Sequence, residues 1–308
     1  VGGVFVQGES EVASINMIYG AASTGTLAMT SSSSPGISLK SEGISYLAAA
    51  RLPAVIVSVM RAGPGLGTIQ PAQTDYLQAA KCSGHGGFRT ITFAPGTVQE
   101  AVDLTYKAFE YAQRDRNPVI VAPDGCIGAI MEPVELPAPR VTPSIPEWAT
   151  IGCRGRDTIN LIFGGSGTEL EEMQFNLECQ AMYDRWAEVD VLVEEYQTED
   201  AEYILAAYGT SGRICKSCVN SLREQGVKAG LIRPITISPF PYKAFEKLDS
   251  SKVKVIIDVE MAIPSQMTDD INLGTHGKIP VEKVLTSGGI IIPSKDVINK
   301  VLNFAKGN

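Results

Sequence analysis

Apolar and polar positions along the chain switch repeatedly between a period of two and a period near 3.6. Residues 3–7 form a short apolar run that predicts a strand, and from 10 to 22 the apolar residues Val12, Ile15, Ile18 and Tyr19 recur at the spacing of one helical face. A strand is predicted at 26–29, followed by the polar turn Ser31-Ser32-Ser33-Ser34-Pro35-Gly36 and a helix through Tyr46 and Leu47 that ends near Arg51. Pro53 opens a buried strand at 54–60, which delivers the loop Arg61-Ala62-Gly63-Pro64-Gly65-Leu66-Gly67. A helix at 75–81, a strand at 90–93, a helix at 98–114 and a strand at 119–122 complete the first half. Strands alternating with helices of this length predict a mostly parallel sheet covered on both faces, with ligands beyond the carboxyl ends of its strands. The serine turn and the Arg61 loop both fall at such ends.

The stretch 132–148 is rich in proline and poor in periodic apolar positions, so it reads as an extended linker. A helix over 169–189 is expected to bridge the halves. A second α/β unit then runs through a strand at 203–209, a helix at 213–225, a strand at 228–232, the turn Ser238-Pro239-Phe240-Pro241, a helix to 248, a strand at 254–259 and a last helix after Pro293. The expected division is 1–131, a connecting segment 132–200, and 201–308. The fold class is α/β, with two doubly wound, mostly parallel-sheet domains joined by the proline-rich linker.

Composition narrows the function. A formal net charge of −8 with no basic stripe argues against a nucleic-acid surface. No run of 18 or more apolar residues is present and no leader pattern precedes the first helix, which predicts a cytoplasmic protein that spans no membrane. The first residues, starting at Val1, read as a cut through a domain. Six scattered cysteines suit reduced thiols, and two histidines are too few for a metal cluster, so no metal site is predicted.

Candidate chemistry sits in a few places. Glu9 and Glu11 flank Ser10 at a helix start, where serine caps and an acid in the first turn favours the helix dipole. Arg61 leaves a buried strand into a glycine loop; it serves either as a surface residue or as a fork for a substrate carboxylate. His85, in Gly84-His85-Gly86-Gly87, is either a hydrogen-bonding loop residue or a contact at the edge of a site. Neither glycine-rich loop has the G-x-G-x-x-G spacing of a dinucleotide site. Cys215-Lys216-Ser217-Cys218 has no second pair and reads as two helical thiols. The serine run lacks a nucleophile elbow and reads as a hydrogen-bonding turn.

Several motifs together resemble the α-type subunit of 2-oxoacid:ferredoxin oxidoreductases. They are Phe5-Val6-Gln7-Gly8-Glu9-Ser10-Glu11, Met29-Thr30 with the serine turn through Ser38-Leu39, the Arg61 loop with Pro71-Ala72-Gln73-Thr74-Asp75-Tyr76, and Arg116-Asn117-Pro118-Val119. Tyr208-Gly209-Thr210, Gly230-Leu231-Ile232-Arg233-Pro234 and Ser238-Pro239-Phe240-Pro241 extend the likeness over nearly the whole chain. The resemblance implies a thiamine-diphosphate pyrimidine-binding domain followed by one like the transketolase C-terminal domain. It implies oxidative decarboxylation of a 2-oxoacid to acyl-CoA and carbon dioxide, with electrons passed to ferredoxin. Glu11 then becomes the acid that faces the aminopyrimidine ring, Ser33, Ser34 and Gly36 line the cofactor, Arg61 grips the substrate carboxylate, and Glu9 and His85 stand as candidate site-edge residues.

The resemblance also implies partners. A β-type subunit would carry the diphosphate and magnesium half of the cofactor site, since the nearest approach to the G-D-G motif is Pro123-Asp124-Gly125. A γ-type subunit, a ferredoxin-like iron–sulfur subunit, ferredoxin and coenzyme A complete the expected assembly. The wording of 31–36, 43–46 and 131–134 is closer to the branch acting on 3-methyl-2-oxobutanoate than to the 2-oxoglutarate branch, with pyruvate a further alternative. The sequence departs from the family pattern at Lys40, where methionine is usual and where only local packing is at stake, and at Glu260 to Gln266. The family's substrate-contacting threonine falls before Val1, so no residue here corresponds to it. A Rossmann-type dehydrogenase and a non-catalytic scaffold subunit are the rival readings; the first lacks a fingerprint and the second has no use for Glu11 and Arg61 at ligand-binding ends.

Overall fold

The computed structural model describes residues 3–81, 83–141, 144–153 and 155–306; Val1, Cys82 and Pro143 are among those outside it. In chain order the elements are α1 (Glu11–Ser23), β1 (Met29–Ser32), α2 (Pro35–Ala49), β2 (Ala54–Ser58), α3 (Tyr76–Ala80), β3 (Ile91–Phe93), α4 (Val98–Asp115), β4 (Pro118–Val121) and α5 (Gly125–Ala129). After a long connection come α6 (Glu169–Val189), β5 (Val193–Tyr196), β6 (Tyr203–Ala206), α7 (Gly209–Glu224), β7 (Ala229–Pro234), β8 (Thr236–Ser238), α8 (Tyr242–Glu246), β9 (Val255–Glu260), α9 (Thr268–Thr275), β10 (Val281–Leu285) and α10 (Ser294–Ala305).

These strands form two five-stranded sheets, ordered β1-β2-β4-β3-β8 and β10-β9-β6-β7-β5. Four strands of each sheet are mutually parallel, and the fifth is an antiparallel edge. The central strands β2, β4, β6, β7 and β9 are buried along almost their whole length and, apart from Ser58, Arg233, Asp258 and Glu260, carry no polar side chain, because helices cover both faces. The fold is therefore α/β with mostly parallel sheets.

The edge strands cross between the halves. β8 lies beyond the second unit's first three strands in sequence, yet it pairs with β3 of the first sheet, Phe93 opposite Thr236. β5 follows α6 and pairs with β7 of the second sheet. One apolar core cluster runs through both halves, joining Ile15, Ile44 and Ile56 to Tyr208, Phe245 and Ile271.

Two expectations need correction. Residues 3–7 form no strand: Val4 and Phe5 are about nine-tenths exposed, and among the described residues no neighbouring strand takes up their backbone groups. The strand expected at 26–29 sits at Met29–Ser32, because the register that buries β2 brings Met29 opposite Val55. Between α5 and α6 the described residues contain no helix or strand. This segment is tied down nonetheless: Glu132 pairs with Arg213 at 2.6 Å, Arg140 donates to the Tyr106 carbonyl, and Thr150 donates to the Ser23 carbonyl.

Candidate active site

Glu11, Ser33, Ser34, Gly36 and Arg61 lie around the carboxyl ends of β1 and β2, whereas His85 does not. Glu11 opens α1, with Ser10 as its N-cap accepting from the Ala13 amide at 3.2 Å. The acid is half-buried and rests over Gly36 in the first turn of α2. A Cβ added at Gly36 would strike Ser32 Oγ and lie 2.8 Å from Glu11 Oε1, so a glycine is what lets the carboxylate reach this turn. Glu9 is exposed and precedes the helix.

The turn between β1 and α2 is held in an unusual backbone shape. Ser34 has φ of +43° and ψ of −101°, a region that a side-chain-bearing residue seldom adopts. Its hydroxyl donates to Asp75 Oδ2 at 2.5 Å, and the Ser33 carbonyl accepts from the Gly36 amide at 2.9 Å. Asp75 also accepts from the Arg61 amide at 3.3 Å. Burial raises the Asp75 carboxyl above the ordinary range, while the Ser34 hydroxyl, the Arg61 amide and the Arg61 charge oppose that rise.

Arg61 is joined to the same junction. Thr74 Oγ1 donates to the Arg61 carbonyl at 2.6 Å and accepts from the Gly63 amide at 3.1 Å. The loop closes tightly because Gly67, at φ +55°, packs against the Ala62 carbonyl where a Cβ has no room. The Arg61 side chain is half-buried, and its Nε is enclosed without a hydrogen-bond partner. A buried guanidinium nitrogen left without an acceptor fits an anion absent from the described chain.

His85 lies elsewhere, in the loop between α3 and β3, against the later turns of α2. It is exposed, stacks edge-on to Tyr46 with centroids 6.2 Å apart, and its carbonyl accepts from Ser45 Oγ. Ser45 is nine residues beyond Gly36, roughly 13 Å along the helix. His85 lines a cavity of about 370 Å³ with Phe88, Gly164 and Asn176, away from the Glu11 and Arg61 turns.

The sequence reading missed the clamp behind the site. Gln73 is fully buried, and its side chain donates to the Tyr208 carbonyl at 2.8 Å while accepting from Ser211 Oγ at 2.7 Å and the Met261 amide at 3.0 Å. Its own amide donates to the Met261 carbonyl and its carbonyl accepts from the Tyr208 hydroxyl. Gln266 adds a bond to the Thr74 carbonyl at 2.7 Å and accepts from the Leu77 amide at 2.9 Å. The segment 73–77, which carries the partners of Arg61 and Ser34, is thus pinned to the second half of the chain. Gln73 and Asp75 lie inside one quoted motif, so their place was legible and their function was not.

Asp124, from the motif nearest to a diphosphate signature, is fully buried and already engaged. It caps α5 through the Cys126 and Ile127 amides and accepts from the Thr210 amide at 2.8 Å and Thr210 Oγ1 at 2.7 Å. Lys40, expected to affect only packing, is buried with its ammonium bonded beneath the serine turn. Cys215 and Cys218 are buried in α7 with their thiols pushed up by burial. Among the described residues no cluster of three or more His, Cys, Asp or Glu side chains could hold a metal ion. Nor is any described helix long and apolar enough to cross a membrane.

Residues 1–195 match the family described as pyruvate flavodoxin/ferredoxin oxidoreductase, thiamine diP-bdg, and residues 201–297 match pyruvate:ferredoxin oxidoreductase core domain II. The chain belongs to the 2-oxoacid:ferredoxin oxidoreductase family. It is 46% identical over 306 residues to the ketoisovalerate oxidoreductase subunit VorB of Methanothermobacter marburgensis, covering 99% of this chain and 86% of that one. It is 37% identical over 267 residues to the 2-oxoglutarate synthase subunit KorA of Archaeoglobus fulgidus, covering 84% and 75%. Its fold is similar to that of the 2-oxoglutarate:ferredoxin oxidoreductase from Magnetococcus marinus, with a TM-score of 0.84 at 21% identity; the match covers 98% of this chain and 57% of that one.

As a member of this oxidoreductase family the chain carries Glu11, the serine turn and Arg61 within the span matched by the thiamine-diphosphate-binding domain. The relatives are subunits of larger enzymes, as their names state.

Proposed function

We propose that this chain is the α-type subunit of an oxidoreductase that converts 3-methyl-2-oxobutanoate and coenzyme A to acyl-CoA and carbon dioxide while reducing ferredoxin. The observation that carries the reading is the enclosed, unpartnered Nε of Arg61 at the same sheet edge as Glu11. The two VorB relatives, at 46% and 45% identity over 99% of the chain, support the branched-chain substrate over 2-oxoglutarate.

The residues fit the pyrimidine half of thiamine diphosphate. Glu11 is a half-buried acid given access by Gly36, and Ser33 and Ser34 shape the turn beside it. When bound, thiamine diphosphate would supply a nucleophilic carbon for the oxo group and an electron sink for the pair released on loss of carbon dioxide. Glu11 exchanges a proton at its carboxylate with the aminopyrimidine ring, a task for which a partly dehydrated carboxyl is suited because its hydrogen bonds are strong. Arg61 orients the oxoacid through its carboxylate, and the Thr74 and Asp75 contacts hold the backbone from which that guanidinium projects.

The diphosphate and its magnesium belong, on this reading, to a β-type subunit. Asp124, the closest sequence candidate for that work, is fully buried and accepts four internal bonds, three on Oδ1 and one on Oδ2. A γ-type subunit and a ferredoxin-like iron–sulfur subunit complete the proposed assembly, for which a cytoplasmic location is part of the same proposal.

The test uses the reconstituted complex. Glu11→Gln should assemble but slow hydrogen–deuterium exchange at the thiazolium carbon by about 10²-fold or more, the usual scale for loss of a general acid–base group. Glu9→Gln should exchange normally. Unchanged exchange in Glu11→Gln would refute the role, and a higher kcat/KM for 2-oxoglutarate than for 3-methyl-2-oxobutanoate would refute the substrate.

A further inference from the structure

Asp75 stands at the N-cap of α3, where its carbonyl accepts the first bond of the helix from the Ala79 amide at 2.9 Å. An aspartate in that place ordinarily turns its carboxylate inward to accept from the second or third amide of the helix, here Leu77 or Gln78. Asp75 makes no such bond. Its Oδ2 accepts instead from Ser34 Oγ at 2.5 Å and from the Arg61 amide at 3.3 Å. In the rotamer that reaches Ser34 and Arg61 neither carboxylate oxygen meets an amide of α3, so capping would require the side chain to turn.

The Leu77 amide is satisfied all the same. Its acceptor is Oε1 of Gln266, 2.9 Å away and 189 residues further along the chain. The same side chain donates through Nε2 to the Thr74 carbonyl at 2.7 Å, so its two bonds fall on either side of Asp75 in the sequence. Gln266 is held from behind as well: its backbone amide and that of Met267 each donate at 2.9 Å to Oε1 of Glu260, a fully buried acid at the end of β9. The glutamine is therefore fixed by the second half of the chain, and it occupies the amide that Asp75 would otherwise claim.

We propose that Gln266 is a positioning residue that caps α3 in place of Asp75 and so leaves the Asp75 carboxylate to hold the serine turn and the backbone of Arg61. Loss of Gln266 would open the Leu77 amide to Asp75, and taking it would release Ser34 and Arg61. The inference rests on the reading of Arg61 as the grip on the substrate carboxylate. It gives the segment Glu260 to Gln266, where the chain departs from the family pattern, a task in the site that needs no contact with substrate.

The experiment is a double-mutant cycle in the reconstituted complex, with Gln266→Leu, Asp75→Ala and the two together. Gln266→Ala is made beside Gln266→Leu, so that a folding fault in one leaves the cycle complete. The readouts are KM and kcat for 3-methyl-2-oxobutanoate and the thermal unfolding of each complex. Gln266→Leu should raise KM by about three- to tenfold, the scale of one lost hydrogen bond, with kcat within about twofold of the unaltered value. Added to Asp75→Ala it should raise KM no further, because the group through which it acts is already gone. Unfolding should couple in the opposite sense. Asp75 takes over the Leu77 amide when Gln266 alone is lost, whereas the double variant leaves α3 uncapped and should unfold at a lower temperature than the two single changes together predict. An unaltered KM in Gln266→Leu or in Asp75→Ala would overturn the proposal. So would changes that simply add in the double variant, since Gln266 would then act through the Thr74 carbonyl alone. Arg61→Ala is measured alongside: an unaltered KM there would remove the reading of Arg61 itself, a result distinct from a large rise there with a silent Gln266.

Discussion

Replacing Gln73 by leucine should weaken the enzyme in two measurable ways. The substitution keeps nearly the same volume and removes three side-chain bonds: to the Tyr208 carbonyl, Ser211 Oγ and the Met261 amide. The Tyr208 carbonyl keeps the Gly212 amide as a donor and the Ser211 hydroxyl can rotate toward another acceptor, which leaves one buried group, the Met261 amide, without a partner. At about 1–3 kcal/mol for an unsatisfied buried group, the loss is about 1–3 kcal/mol of folding stability. Because segment 73–77 holds the Arg61 carbonyl through Thr74 and the Arg61 amide through Asp75, the same change should loosen the substrate loop. The KM for the oxoacid should therefore rise by a larger factor than the Kd for thiamine diphosphate. Urea unfolding followed by tryptophan fluorescence and by far-ultraviolet circular dichroism gives the stability, and steady-state kinetics of the reconstituted complex gives the two affinities. Both tryptophans, Trp148 and Trp186, lie before residue 200, so fluorescence reports on the first half while dichroism reports on both. A loss below about 1 kcal/mol would refute the reasoning, because it falls under the penalty of even one orphaned group.

Further outcomes follow from the same geometry. Arg61→Ala should reduce kcat/KM for the oxoacid by tens- to thousands-fold, equivalent to about 2–5 kcal/mol, with little change in cofactor affinity. Arg61→Lys should recover only part of that loss, since an ammonium lacks the fork; full recovery in the same kinetic assay would argue against a bidentate contact. Gly36→Ala should fold normally yet weaken thiamine diphosphate binding in calorimetry, because the new Cβ would displace Ser32 Oγ and the Glu11 carboxylate; unaltered affinity would mean that the acid does not need this place. Asp258 and Glu260, paired on β9, are both raised by burial, Asp258 to about 6. A carboxyl raised in the folded state binds its proton more tightly there, so its contribution is full below about pH 4 and is lost as pH rises through about 6. Chemical denaturation at several pH values should show that fall reduced in Asp258→Asn relative to the unaltered chain; identical pH slopes would exclude a shared proton at this pair.

The sequence exposed the layer plan well because parallel central strands must be apolar on both faces, and β2, β4 and β6 read as short apolar runs. It was weaker at the edges. β5, with the pattern Val193-Glu194-Glu195-Tyr196, and the three-residue β8 are too short and too polar to announce a strand, and nothing local marks which sheet they join. The opposite error at 3–7 has the same origin, since an apolar run reveals a preference for extension and says nothing about an available neighbour. Glu11 and Arg61 were legible as candidates from their junctions. Gln73, Asp124 and Lys40 were not, because each acts through contacts with residues far away in the chain, and a buried lysine looks like a surface one until its surroundings are known.

The exchange of β8 and β5 between the sheets bears on how the molecule can be divided. A cut near residue 200 agrees with the limits of the two family matches and looks like a natural seam. Yet the first fragment would lose the strand that covers β3, where the Ala94 amide meets the Ile235 carbonyl and Ser238 Oγ meets the Thr90 carbonyl. It would also carry β5 away from β7, stripping the edge of the other fragment. Each piece would then present an open row of backbone groups next to an apolar surface, the combination that drives strand-to-strand aggregation. Expressed separately, the halves should come out insoluble; expressed together, they should find each other and reassemble as complementary fragments.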